Sequence, residues 1–348
     1  MLAQKTVLIL GAGASKTFGL PLGQGLKDVL SNKLEIRFDD RGTLKHGSSQ
    51  IVDCFRLLAR EHSENPRDIS RYTRASREIS DAMPVCPSID DYIERHAGHK
   101  EYEICAKLGI AESILEAERQ CPLHLDLRNS NTVNLSQYGS SWISQFLQMI
   151  TRGIHRKEIG SSFKYLKVII FNYDRCFEQF VFYWLQQVYK ISPDESSDIV
   201  NKIDIVHPYG SLGDIFGYPT ENQVPFGADI HAGRLISISN TLKTYSESSS
   251  DASLSLPIKQ YVHDCRTFVF LGFAFHQQNM NLLKCPPSNA PFARRVFATT
   301  VQISAPRWET IRDRLSNTFD ISSQDLFTHT DNESCESLIS EYSDNIFP

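Results

Sequence analysis

With 348 residues, 41% of them hydrophobic and 22% charged, the chain can bury one large α/β core with an added helical module, or two domains. Its formal charge of -5 and pI near 6.1 argue against broad nucleic-acid or membrane-surface binding, though not against a local basic patch. No run approaches the roughly 18 or more apolar residues of a membrane span, and the start MLAQKTVLIL lacks a basic leader region, which predicts a cytoplasmic protein without a signal peptide.

Thr6–Leu10 has the length and aliphatic content of a buried parallel strand, and it breaks into Gly11-Ala12-Gly13-Ala14-Ser15. Such a turn either brings backbone against a pyrophosphate or packs a helix closely on a sheet. The dehydrogenase fingerprint GxGxxG would need glycine at Lys16, and the pattern GxxxxGK[ST] would need it at Leu10 and Ser15, so neither fits.

About 155 residues separate this strand from the next, far more than one crossover needs, so an insert is expected. IVDCFRLLAR, SIDDYIERH, YEICAKLGIAESILEAE and YGSSWISQFLQMI read as its helices, with Ser88 and Asp91 forming a capping box. The charged stretch from Glu61 to Ser80 reads as a solvated helix or a mobile excursion.

Further strands are expected at Lys167–Phe171, Ile203–Val206, Thr267–Leu271 and Arg295–Ala298, with Asn240–Ser255 as a surface loop and a last helix opening at Pro306. The fold class is therefore α/β: a Rossmann-like parallel sheet with helices on both faces and a large helical insert. The segments expected are 1–48 and 161–320 for the sheet domain, 49–160 for the insert and 321–348 for a C-terminal tail. The eight cysteines (54, 86, 105, 121, 176, 265, 285 and 335) have no zinc-ligand spacing and read as buried reduced thiols, so no zinc module and no metal are expected.

Ligands of parallel sheets sit beyond the carboxyl ends of the strands. There the sequence places Gly11–Ser15, then Asn172-Tyr173-Asp174, then His207-Pro208-Tyr209-Gly210-Ser211, then Gly272-Phe273. Asn172 is either a turn residue or an amide that holds a water or ribose hydroxyl, and Asp174 either caps the following helix, contacts a carboxamide, or does both. His207, closing a strand at the crevice edge, suits a general base, although it could also bond a backbone carbonyl. Gly272 and Phe273 complete the expected ligand-binding rim.

The ordered set GAGAS, FNYD, HPYGS and FLGFAF resembles the sirtuin-like proteins of bacterial antiphage defence, over about residues 4–305, with the SIDDYIERH and GIAESILEAE segments also similar. The resemblance implies cleavage of the nicotinamide–ribose bond of NAD by a hydrolase active in antiviral defence and abortive infection. In that reading Gly11, Ala12, Gly13 and Ser15 line the pyrophosphate and nearby ribose, Asn172 and His207 are catalytic, and Asp174 helps to hold nicotinamide. Deacylase sirtuins continue GIPDFR where this chain has Gly19-Leu20-Pro21-Leu22-Gly23, and carry glutamine at the place of Phe171. Water is thus the expected acceptor rather than acyl-lysine. The family also implies restraint by a homo-oligomer or by a partner, such as a helicase-type ATPase or a short Argonaute protein. A binding module that senses NAD or ADP-ribose derivatives, and an ADP-ribosyl transferase or deacylase, are the alternatives.

Overall fold

The computed structural model describes residues 4–62, 65, 67–125, 132–217, 220, 222–284, 294–321, 326–327 and 334–346. Its strands are β1 (Thr6–Leu10), β2 (Arg37–Phe38), β3 (Leu44–His46), β4 (Leu166–Ile170), β5 (Asp204–Val206), β6 (Thr267–Leu271), β7 (Arg295–Ala298) and β8 (Leu326–Phe327). β2 and β3 form a small antiparallel ribbon. The others make one parallel sheet flanked by helices, in the order β5-β4-β1-β6-β7-β8. Counted within this sheet alone the order reads 3-2-1-4-5-6, so the winding reverses beside β1 and a switch point lies at its carboxyl end.

β1 and β6 are buried at every residue. A strand with neighbours on both edges and cover on both faces needs a continuous apolar run, which is why TVLIL and TFVFL carry no alternation. β4 begins one residue earlier than the expected Lys167 and ends at Ile170, yet the Phe171 N–H still donates to the Leu10 carbonyl at 2.9 Å. That contact holds Asn172 beside the first turn after β1.

The chain divides into two compact units: Met1–Phe18, Leu125–Pro208 and Ser248–Pro348, which carry the sheet, and Gly19–His124 with Tyr209–Glu247. These bounds differ from the expected segments. Residues 19–48 join the helices, 125–160 belong with the sheet, and 209–247 form a second helical contribution that composition alone did not separate.

In the helical unit, Lys100–Gln120 is the longest helix and packs against Gly23–Leu34, Ser70–Ala82 and Ala232–Ser239. At Gly109 a Cβ would lie 2.9 Å from Leu30 Cδ2, so the glycine allows the close approach of Gly23–Leu34. Ser88 caps Ile89–Arg95 by accepting the Asp91 N–H, which is half of the expected capping box; the Asp91 carboxylate pairs with Arg95. Ser70–Ala82 corrects the reading of Glu61–Ser80 as solvated: Tyr72, Thr73, Ala75, Ser76, Ile79 and Ser80 are buried. Small polar residues make this face, with Ser76 Oγ donating to the Leu34 carbonyl and Ser80 Oγ to the Ser31 carbonyl.

In the sheet unit, the expected loop 240–255 ends instead in helix, with Tyr245–Ser250 spanning the unit boundary and Ala252–Asp264 following under an Asp251 cap. Pro306 does lie in the first turn of Ala305–Phe319, but that helix is not the last. Cys335–Glu341 follows, opened by a Ser334/Ser337 capping box, and packs on Trp142–Ile150. The described part of the expected tail is thus built into the sheet unit. No helix among the described residues is long and apolar enough to cross a membrane.

Candidate functional site

The turns after β1, β4 and β5 converge through side chains. Asn172 Nδ2 donates to the Gly11 carbonyl at 3.0 Å and to Ser15 Oγ at 2.9 Å. Ser15 Oγ donates onward to Asp174 Oδ1 at 3.0 Å, and the same oxygen accepts the Cys176 N–H at 3.1 Å. The N-cap position of Cys176–Tyr189 is Arg175 rather than the expected Asp174; Asp174 stands one residue before it, accepts the N–H of the first helical residue and anchors the glycine turn. Asn172, Asp174 and Ser15 are all buried. Both amide hydrogens of Asn172 are committed, so any hydrogen bond from this side chain to a ligand falls to its acceptor Oδ1.

His207 stands at the half-buried edge of this network, just beyond β5. Its Nδ1 lies 3.3 Å from the Asn172 backbone oxygen and its Nε2 lies 2.8 Å from Glu178 Oε1. Burial alone pulls the imidazole pKa down, but the facing Glu178 carboxylate, the Asn172 carbonyl and the Asp174 charge outweigh it, so the ring titrates above its ordinary value. Glu178 is in the first turn of its helix, where the exposed N–H groups favour a negative charge. Its second oxygen, Oε2, is buried without a hydrogen-bond partner.

On the other side of β1 the contact is between backbones. The Gly13 N–H donates to the Gly272 carbonyl at 3.0 Å, Gly11 N–H to Leu271 O, and Ala14 N–H to Gly11 O. A Cβ on Gly11 would lie 2.5 Å from the Gly272 oxygen, one on Gly13 2.6 Å from the Gly272 Cα, and one on Gly272 2.1 Å from the Ala14 nitrogen. Gly272 also has φ +58°, a left-handed backbone that favours glycine. The three glycines thus serve close packing of two turns, and three of the donors in Gly11–Ser15 are already used within the protein. Ala12 and Gly13 are the half-buried part of this rim. The Phe273 side chain is 3% exposed and packs against Phe171, Phe270 and Phe275, so it supports the turn from the core.

Of the expected site residues, the structure brings Gly11, Ser15, Asn172, Asp174 and His207 into one network and sets Gly13 on Gly272. Of the HPYGS motif, His207 and Pro208 belong to the sheet unit and Tyr209–Ser211 to the helical one. Two residues escaped sequence reading. Glu178 was hidden in the apolar helix CFEQFVFYWLQQVY, although it is the one acidic residue in the first turn of that helix. Trp142 is buried and its Nε1–H donates to the Ala14 carbonyl at 2.9 Å, bracing the glycine turn from 128 residues away.

Seven described cysteines are free thiols, six of them buried; Cys285 lies outside the described residues. Among the described residues no three His, Cys, Asp or Glu side chains gather as a metal site. Compared with known proteins, the sequence matches no family model, and a search of curated proteins finds no significant match.

Proposed function

We propose that the chain is an NAD glycohydrolase that cleaves the bond between nicotinamide and ribose with water as acceptor, releasing nicotinamide and ADP-ribose. What supports this reading is the hydrogen-bonded meeting of three strand ends beside the switch point, with the buried Asn172 amide acceptor next to a histidine at the half-buried edge. The nicotinamide ring of NAD is a cationic leaving group, so breaking its bond to ribose carbon needs no strong acid. The ring nitrogen takes the bonding electrons, the water oxygen adds to that carbon, and the water gives up one proton. Asn172 Oδ1 accepts a hydrogen from the water and orients it, and His207 in its neutral form takes the proton.

Consumption of NAD would serve antiphage defence, as the resemblance implies, held in check by self-assembly or by a helicase-type ATPase or short Argonaute partner. Because the Gly11, Gly13 and Ala14 N–H groups of the glycine turn face the protein, the pyrophosphate would meet the half-buried Ala12 backbone rather than a full cradle of N–H groups. The test is incubation with NAD, alone and with the partner encoded beside the gene, with nicotinamide and ADP-ribose quantified. Stoichiometric release of both supports hydrolysis, and label retained on a macromolecule points to transfer. The commitment of both Asn172 amide hydrogens to the protein favours one second reading, a module that binds NAD or ADP-ribose derivatives without turnover; saturable binding with no nicotinamide released in any assembly state would select it.

A further inference from the structure

The Glu178–His207 contact has no counterpart among the residues read as catalytic, yet it fixes what His207 can do. Both partners are nearly closed to solvent, with side chains 11% and 15% exposed for His207 and Glu178. Glu178 Oε1 receives the ring at 2.8 Å, while Oε2 is buried without a partner, so the strong interaction of this carboxylate is concentrated on the imidazole. A carbonyl oxygen cannot donate a hydrogen bond. With Nε2–H given to Glu178, a proton on Nδ1 lets the ring donate to the Asn172 oxygen as well, so the two contacts together favour the imidazolium form. Loss of the Nδ1 proton then leaves a neutral ring still protonated at Nε2, with its lone pair on the edge beside Asn172.

We propose that Glu178 is a positioning residue that holds His207 in the Nε2–H tautomer, so that Nδ1 is the proton-accepting edge, and that sets the pH at which this base becomes available. The logic is that of a carboxylate behind a catalytic imidazole: it selects the tautomer, orients the ring and stabilises the cation formed on proton uptake. The charged groups facing the ring are Glu178 and Asp174, both from the segment after β4; Glu178 is the hydrogen-bonded one. The catalytic consequence rests on the NAD-cleavage reading, but the state of the ring does not.

The experiment is therefore an NMR titration of the full-length protein with nitrogen-labelled histidine, with the His207 signal identified by its loss in His207→Gln. The wild-type ring should titrate above the ordinary histidine value and be protonated at Nε2 when neutral. Glu178→Gln, which keeps the shape and removes the charge, should lower the midpoint by roughly one to three pH units, and Glu178→Asp should fall between. Nicotinamide release should show an acid limb that moves down with the midpoint in Glu178→Gln, while its plateau falls. A neutral wild-type ring protonated at Nδ1, or an unchanged midpoint in Glu178→Gln, overturns the proposal. If Glu178→Gln does not fold, the wild-type tautomer and midpoint decide by themselves. Absence of nicotinamide release in a protein whose ring behaves as expected counts against NAD cleavage and leaves the role of Glu178 in holding the ring standing.

Discussion

The two flanks of β1 are built on opposite principles. Towards β6, the turns touch backbone to backbone, and Gly11, Gly13 and Gly272 are required because any Cβ would overlap main-chain atoms that cannot move aside. Towards β4 and β5, the turns stand farther apart and are bridged by Asn172, Ser15, Asp174, His207 and Glu178. A glycine-rich turn after a first strand therefore reports on geometry, and the polar residues facing it report on chemistry. Substitutions on the two flanks should fail in different ways.

The largest effect belongs to the glycine flank. Gly272→Ala places a methyl 2.1 Å from the Ala14 nitrogen at φ +58°, and Gly13→Val meets the Gly272 backbone; each should cost more than about 4 kcal/mol. Soluble yield and thermal melting check this. A folded Gly13→Val protein that lost only NAD affinity would return the turn to a purely ligand-facing role.

Next comes Asn172→Ala. It strips Ser15 Oγ and the Gly11 carbonyl of a buried donor, for about 1–3 kcal/mol of stability, and removes the water-orienting oxygen. Nicotinamide release per folded molecule should fall about a hundredfold or more; a rate that follows the folded fraction alone would make Asn172 a turn residue. His207→Ala should likewise abolish release. From sequence this change removes no core packing, but the structure adds a cost of about 1–3 kcal/mol because Glu178 loses its partner.

A smaller effect separates the two units by pH. His207 titrates above its ordinary value, so its stabilising contribution is complete below the unfolded histidine pKa, near 6.5, and is lost as pH rises through the folded value. In the helical unit, Glu247 is opposed by burial but held below its ordinary value by Lys107 and the Thr244 N–H. Its contribution is complete above the unfolded glutamate pKa and is lost as pH falls through the folded one. Melting followed across pH should show the alkaline loss disappear in Glu178→Gln and the acid loss shrink in Glu247→Gln. The smallest effect is Ser88→Ala, about 1 kcal/mol for a lost helix cap.

The strands were legible because a parallel strand buried on both faces must be a near-continuous apolar run, as TVLIL and TFVFL are, and as RVFA is after its half-buried Arg295. The strand-end residues were legible because polar groups directly after such runs have few other places to go. The partition of the chain was not. Gly19–His124 and Tyr209–Glu247 come together through contacts far apart in sequence, and Ser70–Ala82 is amphipathic but so rich in charged and polar residues that its composition reads as solvated although Tyr72, Ala75 and Ile79 repeat along one buried face. Glu178 was obscured by the apolar residues around it, which mark the helix as core while the one acid in its first turn carries the interaction with His207.

β1 precedes every other strand of the parallel sheet in the chain, yet it lies in the interior of that sheet. Thr6 pairs with Leu166 on one edge and with Thr267 on the other, so during synthesis TVLIL emerges long before either neighbour exists. Closing such distant pairings is entropically late, and an unpaired apolar strand is a site for misassociation in the meantime. β1 therefore depends on something covering it until β4 and β6 have been made, and assembly of the sheet is expected to be slow and sensitive to chaperone supply.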